Sequence, residues 1–479
     1  MKKIIVFLAV MIFCCSAVFS FTLKDVEKQA SQGKYKDAVN TCNEILKQKP
    51  GNLNVLRWIA YCNYKAGDLD AVIGMKDQKL KDSQISNFIG LSYMAKNNFA
   101  EAEKEFNDAI IYDKKFSEPY QNIAQIYMEN KDFANAKSYF VTASQLNPND
   151  LNLLINLGYV NMQLKDYANA QANFLKAKNI SHNNKTVIGN LGNAYLCGKD
   201  YVNALKEFET LYALDKNSKE ALLGLANTYA SVNNNASAEK YYDMLIKADN
   251  TSVNNYNMGI ILEKQAKFGK AVPYFAKAVE LDGKDTDALN ELGWCQFKSA
   301  NQKDAIETIN KVFAIDKDNI KSLAYLGVIY DSSENYTKAY ENWSRCVILA
   351  PKNTDYKINL GKACINTEKY DEAISAYNSA LELDKKADNA YLGLGIAKLQ
   401  KVLTDEKAGA NLLNEALVIF KSITAKDAKN SVAWTNLGVC YQKNKKYKDA
   451  SYAYKKALEL NPNAQEAKAN LNEISSFVK

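Results

Sequence analysis

The sequence predicts an all-α chain built as a stack of helix pairs, and three observations predict it. A pattern of about 34 residues recurs about twelve to thirteen times between Lys34 and Pro462. The six prolines avoid helix interiors: Pro50, Pro148, Pro351 and Pro462 fall in turns closing a repeat, and Pro119 and Pro273 are expected in the first turn of a helix, where a missing N–H does no harm. No run alternates apolar and polar residues between turn signals as a half-buried strand would.

The first helix of each repeat carries an apolar stripe at helical spacing, as at Leu154, Ile155, Leu157 and Gly158. A small residue recurs in that stripe: Gly90, Ala124, Gly158, Gly192, Ala226, Gly259, Gly293, Gly327, Gly361, Gly395. A larger side chain there would overpack the partner helix, at roughly 1–3 kcal/mol. Twelve residues on, an alanine returns on the second helix, from Ala102 and Ala136 to Ala339 and Ala373. Ala170, Phe174 and Ala177 share one face of that helix, because residues at i, i+4 and i+7 align. One helix pair cannot bury both its faces, so the repeats must stack as a quasi-one-dimensional array.

The pattern is fullest near the C-terminus. Trp434, Leu437, Gly438 and Tyr441 lie on one helix, and Ala450, Tyr454 and Pro462 follow on and after the next. This resembles the tetratricopeptide repeat. The resemblance implies a right-handed α-solenoid, a superhelix of about 12–13 stacked helix-turn-helix units, with a concave surface lined by the first helices. Most members of that family bind peptides or extended protein segments on this surface.

Departures from the period locate the irregular parts of the array, which is expected over 21–464. The repeat after Leu53 is short, with Ala60 and Ala71 one residue too close, so irregularity is expected at about 60–82. Gly395 and Ala416 stand 21 apart against the usual 12, and the inserted 399–407 segment is expected to lengthen both helices into a spur. Residues 465–479 read as a solvating cap with Ala469, Ile474 and Phe477 on its apolar side.

The N-terminus is a separate object. Lys2 and Lys3 precede an apolar run, Ile4 to Phe13, and small residues follow at Ser16, Ala17 and Ser20, the layout of a secretory signal peptide over 1–20. Cleavage is expected after Ser20, with Ala17 the second choice and an uncleaved anchor the alternative. The run is shorter than the roughly 20 residues of a spanning helix, and no other stretch suggests a span. The expectation is an exported bacterial protein, periplasmic or extracellular.

Charge and chemistry then exclude several functions. Loss of Lys2 and Lys3 lowers the formal charge from +7 to +5, spread without like-charge blocks, so neither a nucleic-acid groove nor a polybasic membrane patch is indicated. The cysteines are scattered, without metal-ligand spacing. Buried thiols are expected, with Cys42 and Cys62 the candidate pair for a disulfide. The single histidine, His182, falls in a turn between repeats. No phosphate loop, dinucleotide fingerprint or zinc motif is present. The chain therefore reads as a non-enzymatic scaffold needing no cofactor or metal, whose partner is a protein or peptide segment.

Candidate contact residues lie on the first helices. Two places before the small residue stand Asn122, Asn156, Asn190, Asn257, Asn359 and Asn436. Some superhelices of the family grip a ligand's backbone with such a ladder, one amide offering donor and acceptor; the alternative is a structural bond to a neighbouring helix. One place after the small residue are Gln125, Tyr159, Asn193, Asn227, Ile260 and Trp294, and Met94, Met128 and Met162 recur at one further position. The second candidate surface is the outer edge with the spur, as in a periplasmic adaptor for polysaccharide export or outer-membrane assembly.

Overall fold

The computed structural model describes residues 21–405 and 409–478, and among these there are helices and no strand. The expected signal segment, 1–20, lies outside the described residues, as does part of the 399–407 insertion. The chain divides into two compact units, Met1–Tyr241 and Tyr242–Lys479, each described by itself.

The first unit begins with α1 (Leu23–Ser31) paired to α2 (Tyr35–Gln48), then α3 (Leu53–Ala66) to α4 (Leu69–Gly74), and α5 (Ser83–Ala95) to α6 (Phe99–Tyr112). It continues through α7 (Ser117–Glu129) and α8 (Phe133–Leu146), α9 (Leu151–Gln163) and α10 (Tyr167–Ile180), α11 (Lys185–Cys197) and α12 (Tyr201–Leu214), and α13 (Lys219–Ser231). The division falls within α14 (Asn235–Ala248). The second unit holds α15 (Ser252–Lys264) and α16 (Phe268–Leu281), α17 (Thr286–Lys298) and α18 (Gln302–Val312), and α19 (Ile320–Ser332) and α20 (Tyr336–Leu349). Then come α21 (Thr354–Asn366) and α22 (Tyr370–Leu383), α23 (Asp388–Thr404) and α24 (Gly409–Lys426), α25 (Ser431–Lys443) and α26 (Tyr447–Leu460), and last α27 (Gln465–Glu473).

Local chemistry starts and stops many of the helices. Asp150 Oδ1 accepts the Leu153 amide at 3.0 Å and Asp166 Oδ1 the Asn169 amide at 3.3 Å, caps that contribute about 1 kcal/mol each. The first helix of a pair ends where the residue seven places after the small one turns left-handed, as at Lys165 (φ 58°) and Lys199 (φ 63°). That turn reverses the chain and sets the second helix against the first.

The small residue explains the pair's closeness. A Cβ at Gly158 would lie 2.5 Å from the Phe174 ring, one at Gly259 2.6 Å from Phe275, and one at Gly438 2.5 Å from Tyr454. The ring always stands 16 residues after the glycine in these repeats. Phe106, Phe140, Phe174, Phe208, Phe275 and Tyr454 are among the largest fully buried side chains, each contributing about 1.5–3 kcal/mol of apolar burial.

The irregular repeats follow the same logic. After α3 the second helix shrinks to the six residues of α4 and a 3-10 turn, Met75–Gln78. Buried Met75 joins Ala60 in one apolar cluster. In the long repeat, α23 and α24 have 17 and 18 residues, where α9 and α10 have 13 and 14. Gly395 still faces a ring, Phe420, at 2.9 Å from its would-be Cβ, now 25 residues on, so the insertion lies wholly between the contact points.

Three expectations need correction. Pro273 lies inside α16 rather than in its first turn, because the helix already begins at Phe268. Gly269, whose carbonyl loses its helical partner, is exposed, so water can satisfy it. In α27 the buried residue is Ala467, with Leu471 and Ile474 beside it, while Ala469 is exposed. Phe477 is 60% exposed and stacks on Tyr447 with ring centroids 4.7 Å apart. Cys42 and Cys62 are both buried free thiols, not a disulfide; burial, with Cys62 adjacent, pushes the Cys42 thiol up to about 12.

Candidate binding surface

First helices of neighbouring repeats touch one another, as α9 touches α11 and α11 touches α13 in the first unit, and α17 touches α19 in the second. Corresponding positions on them therefore form rows. In the first unit the row two places before the small residue reads Trp58, Phe88, Asn122, Asn156, Asn190, Gly224. Asn122 donates from Nδ2 to Asn87 Oδ1 at 2.9 Å. Asn156 and Asn190 are part-buried and no hydrogen bond engages their side chains among the described residues. In the second unit Asn257 bonds to Tyr242, and Asn436, 8% exposed, donates to the Val432 carbonyl at 2.9 Å. The asparagines are thus of two kinds, internally satisfied and unengaged.

The row one place after the small residue is more exposed. Tyr159 is 44% exposed and lines a shallow cavity with Gln125, Met128 and Gln163. Asn193 donates from Nδ2 to Glu220 Oε1 at 3.4 Å, and burial raises the pKa of Glu220. Asn227 is part-buried on α13. Met94, Met128 and Met162 each pack against an apolar cluster between repeats, so they act chiefly as packing residues.

The second unit places Trp294 in a charged setting. Its ring stacks on Tyr325, with centroids 4.7 Å apart and planes 19° from parallel, and Lys298 Nζ lies 5.6 Å from the indole. Tyr325 donates to Glu291 Oε2 at 3.3 Å, and Lys321 pairs with Glu291 Oε1 at 2.6 Å. Burial, reinforced by the Glu291 charge and opposed by Lys321, pushes the Glu263 carboxyl up to about 7.

A cavity of about 650 Å³ opens at the start of the first unit. It is lined by Trp58, Tyr61, Phe88, Arg57 and Asn87, together with Leu23, Glu27 and Phe116. Reading the sequence as an asparagine ladder missed it. Yet Trp58 and Phe88 stand two places before Ala60 and Gly90, in the same register as the ladder, and that register was the available signal. Among the described residues no three His, Cys, Asp or Glu side chains are grouped to hold a metal ion. No described helix is long and apolar enough to cross a membrane, and His182 is exposed in its turn.

Family models for the tetratricopeptide repeat match residues 117–184, 198–258, 256–320, 361–402 and 431–464, together more than half the chain. This is a tetratricopeptide repeat protein. A further model, that of anaphase-promoting complex subunit 3, matches residues 298–380 of the repeat array. The repeat protein is 23% identical over 199 residues to Superkiller protein 3 of Schizosaccharomyces pombe, covering 40% of this chain and 14% of that one. Similar solved structures include a tetratricopeptide repeat protein from Parabacteroides merdae, 15% identical, covering 54% of this chain and 99% of that one, with a TM-score of 0.39. Another is Cut9–Hcn1 of the APC/C, 15% identical over 94% of this chain and 95% of that one, TM-score 0.39. Yeast Tom70 is 14% identical over 84% and 96%, with a TM-score of 0.34.

Proposed function

We propose that the chain is a non-enzymatic scaffold of the bacterial cell envelope that holds a peptide or extended protein segment along the first helices of its first unit. One observation carries this reading: Asn156 and Asn190 occupy the same position on α9 and α11, and neither amide is used internally. Without an internal hydrogen bond among the described residues, the two amides in register offer donor and acceptor pairs at the spacing of the repeats. Tyr159, Asn193 and Asn227 on the adjoining row extend the same surface of the first unit, and the absence of charge blocks favours a polypeptide ligand. Export rests on the signal-like segment at 1–20. A photo-crosslinking residue at Asn190, irradiated in living cells, tests this. A discrete protein adduct is expected; its absence, with the protein folded and exported, overturns the groove reading.

A second reading, an adaptor docking through its outer edge, is favoured by the lengthened helices α23 and α24. Deleting 399–407 would then abolish partner capture, whereas Asn156→Ala with Asn190→Ala would not.

A further inference from the structure

We infer that the cavity at the start of the first unit is a receptor for a basic side chain, a lysine or arginine presented by the bound segment. This rests on the polypeptide-binding reading above and assigns it an anchor.

The cavity's inner walls are aromatic and set at angles to one another. Trp58 and Tyr61 meet edge to face with centroids 5.5 Å apart and planes at 89°, and Tyr61 meets Phe88 at 5.8 Å and 69°. Three differently oriented rings around one space suit a cation, which is drawn to ring faces within about 6 Å. Tyr61 already makes such a contact, with Lys65 Nζ 5.9 Å from its centroid, and Lys65 does not line the cavity.

Charge points the same way. Glu27 and Glu118 line the cavity and are exposed. Among the described residues the lining holds no lysine. Its one cation, Arg57, is already committed: Nε and Nη2 donate to Asp82 Oδ2 at 3.0 and 2.7 Å, and Nη1 donates to Asn54 Oδ1 at 3.1 Å. Asp82 is 4% exposed and also caps α5 through Oδ1, so the pair is held in place. With Arg57 neutralised, the cavity presents three aromatic rings and two exposed carboxylates, of which Glu118 Oε2 also accepts from Ser117 Oγ at 3.2 Å.

Continuity decides the source of the cation. Trp58 and Phe88 begin the row that continues as Asn122, Asn156 and Asn190, so a segment lying along that row delivers a side chain into the cavity. Exposed Asn54 and Gln84 at the lining can meet its backbone.

The full chain labelled with fluorotryptophan gives four fluorine resonances for its four tryptophans, and Trp58→Phe assigns one. Acetyl-Gly-Lys-Gly-amide and its arginine counterpart are expected to shift the Trp58 resonance, and the norleucine counterpart to leave it in place. Glu27→Gln with Glu118→Gln should weaken the lysine peptide about tenfold, while the melting curve moves only by the small loss of the first-turn charge on α7 and of the exposed Ser117–Glu118 bond. An equal response to norleucine, or none to any peptide, overturns the inference. A response to tetramethylammonium alone overturns the protein source in favour of a small quaternary ammonium. Adducts from Asn190 without any peptide response sink only this inference; a peptide response without adducts sinks only the scaffold reading.

Discussion

The ring of Phe208 occupies the space a side chain on Gly224 would need: a Cβ there would lie 2.3 Å from it. The other side of the contact is Gly192, whose Cβ would stand 2.8 Å from the same ring. Phe208 is fully buried, so it cannot swing aside. Gly224→Asn, which would extend the asparagine row by one repeat, is therefore expected to cost roughly 1–3 kcal/mol, and Gly192→Leu at least as much. Chemical denaturation of either variant checks this; an unchanged midpoint would refute the close-packing account.

Asn156→Ala and Asn190→Ala should behave in the opposite way. Neither amide has an internal partner among the described residues, so stability should stay within about 0.5 kcal/mol of the parent. Partner capture should fall. Asn436→Ala, which removes a bond to the Val432 carbonyl, is the control: it should leave capture intact. Parallel pull-down and melting measurements separate the two classes.

Asn161 is 1% exposed and its Oδ1 accepts no hydrogen bond among the described residues. It stands three places after Gly158, where Tyr195 and Tyr229 follow Gly192 and Ala226. A buried unpaired acceptor costs about 1–3 kcal/mol. Asn161→Leu is expected to raise stability by about 1 kcal/mol, read from the denaturation midpoint; a loss would mean the amide is satisfied in solution.

Glu263 predicts a pH dependence. Its folded pKa, about 7 against an ordinary 4.5, means the folded state binds the extra proton between those values. Its contribution therefore destabilises progressively as pH rises from about 4.5 to 7, and the full penalty stands above pH 7. Glu263→Gln removes it, with a gain of about 1 kcal/mol at pH 8 after allowance for solvent screening and almost none at pH 4. Equal gains at both values would contradict the assignment.

Thiol chemistry should be confined to one place. Cys197 is exposed, while Cys42, Cys62, Cys295, Cys346, Cys364 and Cys440 are buried; burial holds the Cys295 and Cys346 thiols up at about 12. Brief treatment of the native protein with a maleimide, followed by peptide mapping, should label Cys197 among these seven.

The architecture was legible because its determinants are periodic. Gly158 and Phe174 each predict little, but the same pair of residue types at the same separation in repeat after repeat specifies both a helix pair and its stacking. Single-copy features were less legible. Pro273 looked like a first-turn proline because nothing in the residues themselves says that α16 starts at Phe268. Ala469 and Ala467 differ only in which side of a short helix meets α25 and α26. The cavity was missed for a different reason. The ladder was traced by residue type, and following the register instead of the amide would have led from Asn122 back through Phe88 to Trp58. Whether an asparagine is engaged depends on its neighbours in space, so the contrast between Asn190 and Asn436 could not be read along the chain.

The left-handed turns have one more consequence. In ten of the turns between paired helices the residue at positive φ is Asn, Lys, Ala or Glu rather than glycine, from Asn97 to Lys445. Each adopts it against a preference of about 1 kcal/mol while the chain closes the first helix with backbone hydrogen bonds, as where Lys165 N–H donates to the Met162 carbonyl at 3.0 Å and Asp166 N–H to that of Asn161 at 2.8 Å. These positions are adjusting screws for rigidity. A glycine placed at any of them relaxes one repeat, alters neither helix face, and leaves the next repeat untouched, so the compliance of the scaffold is adjustable repeat by repeat without redesigning the surface it offers a partner.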